Sequence, residues 1–432
     1  MGKATVITDP DDVRTVFADS DRHTKAYFNN SGWLFGQLLG ASLGEVNGPR
    51  RAALLAQLTP AFTFRKCRDY IGPVTRDVSA VLEATAAVTP PQLGAKSLVP
   101  PRDLKMVALA AIAGVLFGQE LGEQKRQCLA ALIPVRERLL MKAFTGAGLT
   151  RYAWSAMLPT QTNRELAWFH REWEAYVYAL IESETSNGGS GSSPSSQPSP
   201  ARALIESVGR GEVEKTSALQ TLDEMLFANL DVTLGAISWV LVLLASHVTV
   251  QNTLRAEIKA ARDGGSWENY LSDGSTLLAA VILESARIRP LAGFSVPQVA
   301  PSDRVVSGYV VPKGTNFIID AQALNVTHPA WGGDGEIFKP ERWLEENNNK
   351  GKPATSKGVR DLRYQFWRFG FGPRQCLGKY LADLIMRIVV VEVLCRCEMR
   401  LHPDTSDIKA RDPDCWIAMP IARIQCSQVY HC

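Results

Sequence analysis

Cys376 is the side chain best placed to do chemistry. It lies in Phe369–Gly378, which reads FGFGPRQCLG, and KYLADLIMRIVVVEVL follows, an amphipathic, proline-free pattern that predicts a helix. The cysteine therefore falls at a helix N-terminus. There the positive end of the helix dipole and unpaired backbone N–H groups stabilise a thiolate and can hydrogen-bond its sulfur. Gly372 and Gly378 have no side chain, so the backbone can lie close to a flat macrocycle, and Arg374 can reach an anionic group at its edge. A lone cysteine at a helix start is ordinarily structural, but here the pattern runs through ten residues.

Two charged motifs lie upstream. Glu284-Ser285-Ala286-Arg287 puts an acid and a base three apart on one helix face, where an exposed pair stabilises by only about 0.2–0.5 kcal/mol. Ala279, Ala280, Ile282 and Leu283 crowd the same helix, which favours burial, and removing one partner of a buried pair costs about 3–5 kcal/mol. That role is structural. Pro340-Glu341-Arg342-Trp343 follows, preceded by Trp331 and Phe338.

Phe369, Gly370, Gly372, Arg374, Cys376 and Gly378 together resemble the haem-binding loop of cytochromes P450, and Glu284/Arg287 and Arg342 resemble that family's ExxR and PERF-type elements in order and spacing. The resemblance runs from about residue 4 to the C-terminus. It implies haem b (iron protoporphyrin IX) ligated axially by Cys376, with Arg374 on a propionate and with Glu284, Arg287 and Arg342 in a buried network behind the loop. A thiolate axial ligand favours O–O cleavage of dioxygen, so the implied activity is monooxygenation. NADPH and flavins would act only through a reductase-like electron donor.

The elements that must position these residues are mostly helical. Apolar residues recur at helical spacing over 50–59, 103–117, 164–183, 216–246, 274–288 and 377–398. Short β-type runs at 4–8, 305–311, 316–320 and 416–424 predict small sheets. The fold class is thus mainly α with minor β, one domain over 1–432. The stretch 186–200, SNGGSGSSPSSQPSP preceded by its helix, cannot bury apolar surface and reads as a flexible interhelical loop.

Three departures from the family pattern stand out. The stretch 222–247 resembles the central helix, yet aligning Ala228 and Asp231 puts Asn229 at the usual glycine and Val232 at the usual first threonine. Valine cannot donate a hydrogen bond, so proton delivery falls to Asp231, Thr233 and Asn229, or to a substrate group. These three could instead simply satisfy one another and the backbone. The segment 47–63 resembles the family's C helix with Arg51 at the tryptophan position and Leu55 at the arginine position, which makes Arg51 a candidate propionate partner. At the N-terminus, 4–17 resembles the segment leading through the B helix, so the chain reads as lacking the membrane anchor and A helix of eukaryotic members. The wording of the motifs is similar to fungal secondary-metabolism enzymes, and ANLDVTLGAISW to those of dioxopiperazine toxin pathways.

The family's topology implies a pocket along 31–43, 227–233, 291–296 and 416–419. Phe227, Leu291, Phe294, Val296, Trp416 and Ile417 would give it an apolar lining suited to a small hydrophobic or aromatic substrate, although any one aromatic there can equally be core. Lys352, Lys357, Arg360, Arg363, Arg368, Lys379 and Arg387 flank the cysteine loop and would steer an acidic reductase. Alternatives on the same residues are oxidative C–C, C–N or C–S bond formation, and a non-catalytic haem protein.

Composition sets the outer bounds. Among 432 residues, 46% are hydrophobic and 21% charged, which is ordinary globular usage, and a net charge of +3 gives no reason to expect nucleic acid. Eight cysteines without a CxxC pair suit reduced thiols, and Cys395 and Cys397 read as packing residues within a helix. The apolar run 106–118 is short of the roughly 20 residues that span a membrane, so the chain reads as soluble. With an anchor, the native protein would sit on the cytosolic face of the endoplasmic reticulum.

Overall fold

The computed structural model describes residues 4–18, 22–25, 32–85, 96–118, 122–146, 148–187, 198–348 and 364–428, with side chains excepted at 185–187 and 345–348. The chain forms two compact units, one of Met1–Ala26, Val78–Ala108 and Val232–Cys432, the other of Tyr27–Asp77 and Leu109–Asp231.

The first unit carries the cysteine loop. Its larger sheet pairs Ala4–Ile7 parallel to Asn316–Ile319, then Gln298–Val299 and Thr24–Lys25 antiparallel, with Val6 opposite Ile318. Ile7, Phe317 and Ile319 on its inner face pack with Val13, Val16 and Phe17 of the helix Pro10–Phe17, and Tyr364, Trp367 and Phe371 close over this core. The sheet core thus reaches the loop bearing Cys376. The run expected over 305–311 is a hairpin, Arg304–Val306 against Tyr309–Val311. Its turn, Ser307 and Gly308, holds φ of 49° and 82°, the doubly left-handed conformation that matches strand twist.

Two buried helices frame the site. Thr276 caps Leu277–Ile288 by accepting from the Ala279 N–H, and an apolar surface on nearly every side buries that helix. Lys379–Arg396 is similarly buried from Leu384 to Leu394. It stops sooner than the sequence suggests. Cys397 opens the strand Cys397–Leu401, paired with Ile424–Gln428, so Cys395 and Cys397 do not share a helix, and the Cys397 thiol donates to the Val393 carbonyl. The expected strand over 416–424 begins only at Ile424.

In the second unit, helices Gly48–Leu58, Glu123–Thr145, Gln161–Asn187 and Pro200–Gly209 surround the start of the central helix. That helix runs from Lys215 to Ser246 and is long and apolar enough to cross a membrane, but 72% of its most apolar stretch is buried, as in a core helix. It loosens to π geometry over Glu224–Ala228, a feature that concentrates at functional sites. Of the low-complexity stretch, residues 188–197 lie outside the described residues, while Ser199 caps the helix from Pro200 and bonds Glu184.

Candidate haem-thiolate site

The cysteine loop is a tight, cross-braced turn. The Cys376 N–H donates to the Phe369 carbonyl at 2.9 Å and the Gln375 N–H to the Gly372 carbonyl at 2.9 Å. The Gln375 side chain donates to the Gly370 carbonyl at 3.0 Å and accepts from Lys379 Nζ at 2.6 Å. Gly370 and Gly372 hold φ of 77° and 68°, so a side chain at either would be strained. Helix Lys379–Arg396 starts after Gly378, two residues beyond Cys376, so the thiol sits on the turn entering the helix and not in its first turn. Its side chain is exposed although the loop stands on the sheet core.

These residues fit a haem. Cys376 is exposed on a pinned loop, a Cβ added to Gly378 would meet nothing within 4 Å beyond its chain neighbours, and Arg374 stands half-buried two residues before the cysteine. Cys376 would hold the iron, and Gly378 leaves room for a flat ring.

Behind the loop lies a buried charge network. Glu284, fully buried, accepts from Arg287 Nη2 at 2.7 Å and Nε at 2.9 Å, Arg342 Nε at 2.9 Å, the Lys339 N–H at 3.0 Å and Trp343 Nε1 at 2.9 Å. Arg287 spends its remaining donors on the carbonyls of Asn325, Gly335 and Ile337 and lies 4.7 Å over the Trp331 ring. So satisfied a network can afford burial. The Trp343 and Asn325 contacts are invisible in sequence, although an indole where the family has phenylalanine supplies a donor that phenylalanine lacks.

Asp383 forms a second network, accepting from Arg368 and Arg387 at 2.9 Å each. Burial raises its pKa, but the two guanidiniums win and hold the carboxyl below its ordinary value. Arg368 and Arg387 are therefore already paired and do not form the free basic face expected around the loop. Lys379 bonds Gln375, and Lys352, Lys357, Arg360 and Arg363 lie outside the described residues.

Within the first unit, Leu291 and Ile417 close against the central helix. A Cβ at Gly235 would come 3.0 Å from Ile417 Cδ1 and 3.1 Å from Leu291 Cδ2. The Ala418 N–H donates to the Leu291 carbonyl, and Trp239 Nε1 to the Ala418 carbonyl at 2.6 Å, which fixes both segments to that helix. Ile417 is buried, whereas Phe294, Val296 and Trp416 are exposed by 58%, 54% and 36%, so they do not enclose a tight aromatic cavity by themselves. Val232 is half-buried and Thr233 buried.

In the second unit, Asn229 is exposed and donates to the Met225 carbonyl at 3.1 Å, bracing the π segment. Asp231 is half-buried. Phe227 is buried edge-on against Phe169 and Trp173, with ring centroids 6.0 and 5.2 Å away, and so is committed to packing. Arg51 is half-buried; burial lowers its pKa and the nearby Glu224 carboxylate opposes this. Of the expected pocket segment 31–43, Ser31 lies outside the described residues and Gly32–Leu39 is a helix. Gln220, Thr221 and Glu224 accept in turn from the N–H groups of Ala41, Leu43 and Gly44, tying the turn after that helix to the central helix.

The sequence profile of the family Cytochrome P450 matches residues 1–427. The chain belongs to the cytochrome P450 family. The cytochrome P450 monooxygenase aclC of Aspergillus oryzae is 38% identical, with 99% of this chain and 83% of that protein covered. The cytochrome P450 monooxygenases verC of Clonostachys rogersoniana and gliC of Aspergillus fumigatus are 36% and 34% identical, each with 98% of this chain and 80% of the relative covered. A zebrafish cytochrome P450 solved with abiraterone shares the fold at a TM-score of 0.72 and 19% identity, covering 99% of this chain and 94% of that one. The protein is thus a P450 monooxygenase-type oxidoreductase with a P450 fold, and membership implies haem.

Proposed function

We propose that this P450 hydroxylates a small hydrophobic or aromatic natural product in fungal secondary metabolism, with electrons delivered from NADPH by a flavoprotein reductase. The observation carrying this reading is the exposed Cys376 on a braced turn, within a chain matched to the family over residues 1–427. Haem, when bound there, supplies activation of dioxygen. Cys376 Sγ would bind and orient it and Arg374 would hold a propionate, while the Cys376 backbone stays fixed through Phe369. Leu291 and Ile417 exclude water and position an apolar substrate by shape. The roles of Asp231, Thr233 and Asn229 in moving protons, and of Arg51 at a second propionate, rest on their places in the family's motifs. Attachment of the native protein to the endoplasmic reticulum belongs to the same reading.

Turnover of candidate natural products with reductase and NADPH under isotopically labelled dioxygen tests it. One labelled oxygen atom in the product supports hydroxylation; products without label contradict it. Val232, at the position of the usual threonine hydroxyl, favours a second reading in which oxidative bond formation replaces oxygen insertion. That reading requires a coupled product two hydrogens lighter and free of label.

A further inference from the structure

Asn325 sits in a short π turn, Ala323–Thr327, fully buried, and makes two side-chain contacts and one backbone contact. Its side-chain NH2 donates to the Trp367 carbonyl at 2.8 Å, its side-chain oxygen accepts from the Trp367 N–H at 2.8 Å, and its own carbonyl accepts from Arg287 Nη1 at 3.0 Å. A peptide N–H only donates and a carbonyl only accepts, so these partners fix the orientation of the amide. The side chain therefore imitates a peptide group and pairs with Trp367 as a strand neighbour would.

Trp367 lies nine residues before Cys376. Its ring stands edge-on to Phe371 at 5.1 Å, both rings pack on Phe17, and a Cβ at Gly370 would touch the Trp367 ring at 3.8 Å and the Gln375 backbone at 3.9 Å. Asn325 thus joins the Glu284–Arg287 network to the loop through one residue. We propose that Asn325 is a positioning residue for the axial-thiolate loop, its carboxamide clamping the Trp367 backbone and thereby setting how Cys376 presents its sulfur. This rests on the haem-thiolate reading of Cys376.

Only an amide of this length can do it. Aspartate keeps the acceptor and loses the donor, leucine has the shape and neither group, and glutamine adds a methylene. The protein contains its own control. Gln251, also buried, clamps Met399 in the same way: its Nε2 donates to the Met399 carbonyl at 2.9 Å and its Oε1 accepts from the Met399 N–H at 3.0 Å, on the strand Cys397–Leu401, away from Cys376 in the chain.

The test compares Asn325→Asp, Asn325→Leu and Asn325→Gln with Gln251→Leu in the full haem-loaded chain. Two readouts are taken: hydrogen exchange across 364–376, and the rate at which the reduced, carbon-monoxide-bound form loses its thiolate-type Soret band in mild denaturant. Losing one buried hydrogen bond shifts a local opening equilibrium by about tenfold. Asn325→Asp and Asn325→Leu are expected to raise both rates at least about tenfold, while Gln251→Leu raises exchange at Met399 and leaves the loop within about twofold. If Asn325→Leu does not fold, the aspartate and glutamine variants carry the comparison. Parent-like loop exchange and band lifetime in those variants, or equal effects from Gln251→Leu, overturn the proposal while the parent's thiolate band stands. A parent with no thiolate band instead overturns the haem-thiolate reading, and the proposal falls with it.

Discussion

Replacing Glu284 by glutamine should destabilise the protein far more than an ordinary charge-neutralising change. Glu284 offers two carboxylate oxygens to five donors, three at Oε1 and two at Oε2, and Arg287 beside it has no solvent exposure. Glutamine keeps one acceptor oxygen and turns an NH2 toward the other donors, leaving the buried guanidinium without its counter-charge. Breaking a buried pair in this way costs about 3–5 kcal/mol, from about a hundredfold to a few thousandfold in the folding equilibrium. Were the same pair exposed, the cost would be about 0.2–1 kcal/mol, so the two cases are well separated. Denaturant unfolding followed by tryptophan fluorescence measures it, since Trp331 and Trp343 border the network. The double change Glu284→Met/Arg287→Met should cost less than the sum of its single changes, because no lone charge remains. A loss below about 0.5 kcal/mol for Glu284→Gln would refute the reasoning.

A Cβ at Gly44 would collide with the Glu224 carboxylate that accepts from the Gly44 N–H, so Gly44→Ala should cost about 1.5–3 kcal/mol, and distinctly less in a Glu224→Gln background. For Gly235→Ala, a gain in helix propensity of about 1 kcal/mol competes with about 1–3 kcal/mol of overpacking against Leu291 and Ile417. Denaturation should show a net loss of up to about 2 kcal/mol, and a net gain would mean that those side chains give way freely. Asp383 has a folded pKa below its unfolded one, so its stabilisation is present above the ordinary carboxylate range and is lost as pH falls through the folded value. The stability difference between the parent and Asp383→Asn should therefore be full at neutral pH and shrink in acid; a constant difference would contradict the pairing.

Side-chain type made the cysteine loop legible, because glycines, an arginine and a cysteine at fixed spacing meet geometric demands that few other residues satisfy. The same holds for the principal helices, whose apolar periodicity survives into burial. What was hidden depends on contacts distant in sequence. Asn325 looks like any loop asparagine until Trp367 faces it, and Arg368 and Arg387 look like surface charge until Asp383 lies between them. The change of direction at Cys397 leaves no mark in the sequence because apolar residues recur on both sides of it, Val393 and Leu394 in the helix and Cys397, Met399 and Leu401 in the strand, with charged residues between them in either case. The π segment at Glu224–Ala228 has no compositional mark; its sign is the Asn229 backbone N–H reaching the Glu224 carbonyl five residues back.

Cys376 is proposed to ligate haem iron through its sulfur. The reduced, carbon-monoxide-bound difference spectrum of the haem-loaded protein, taken beside Cys376→Ala, tests it most directly. The expected result is a thiolate-type Soret band in the parent that is absent from a folded variant. A folded, haem-loaded parent without that band, or a variant that keeps it, would mean that Cys376 is not the ligand.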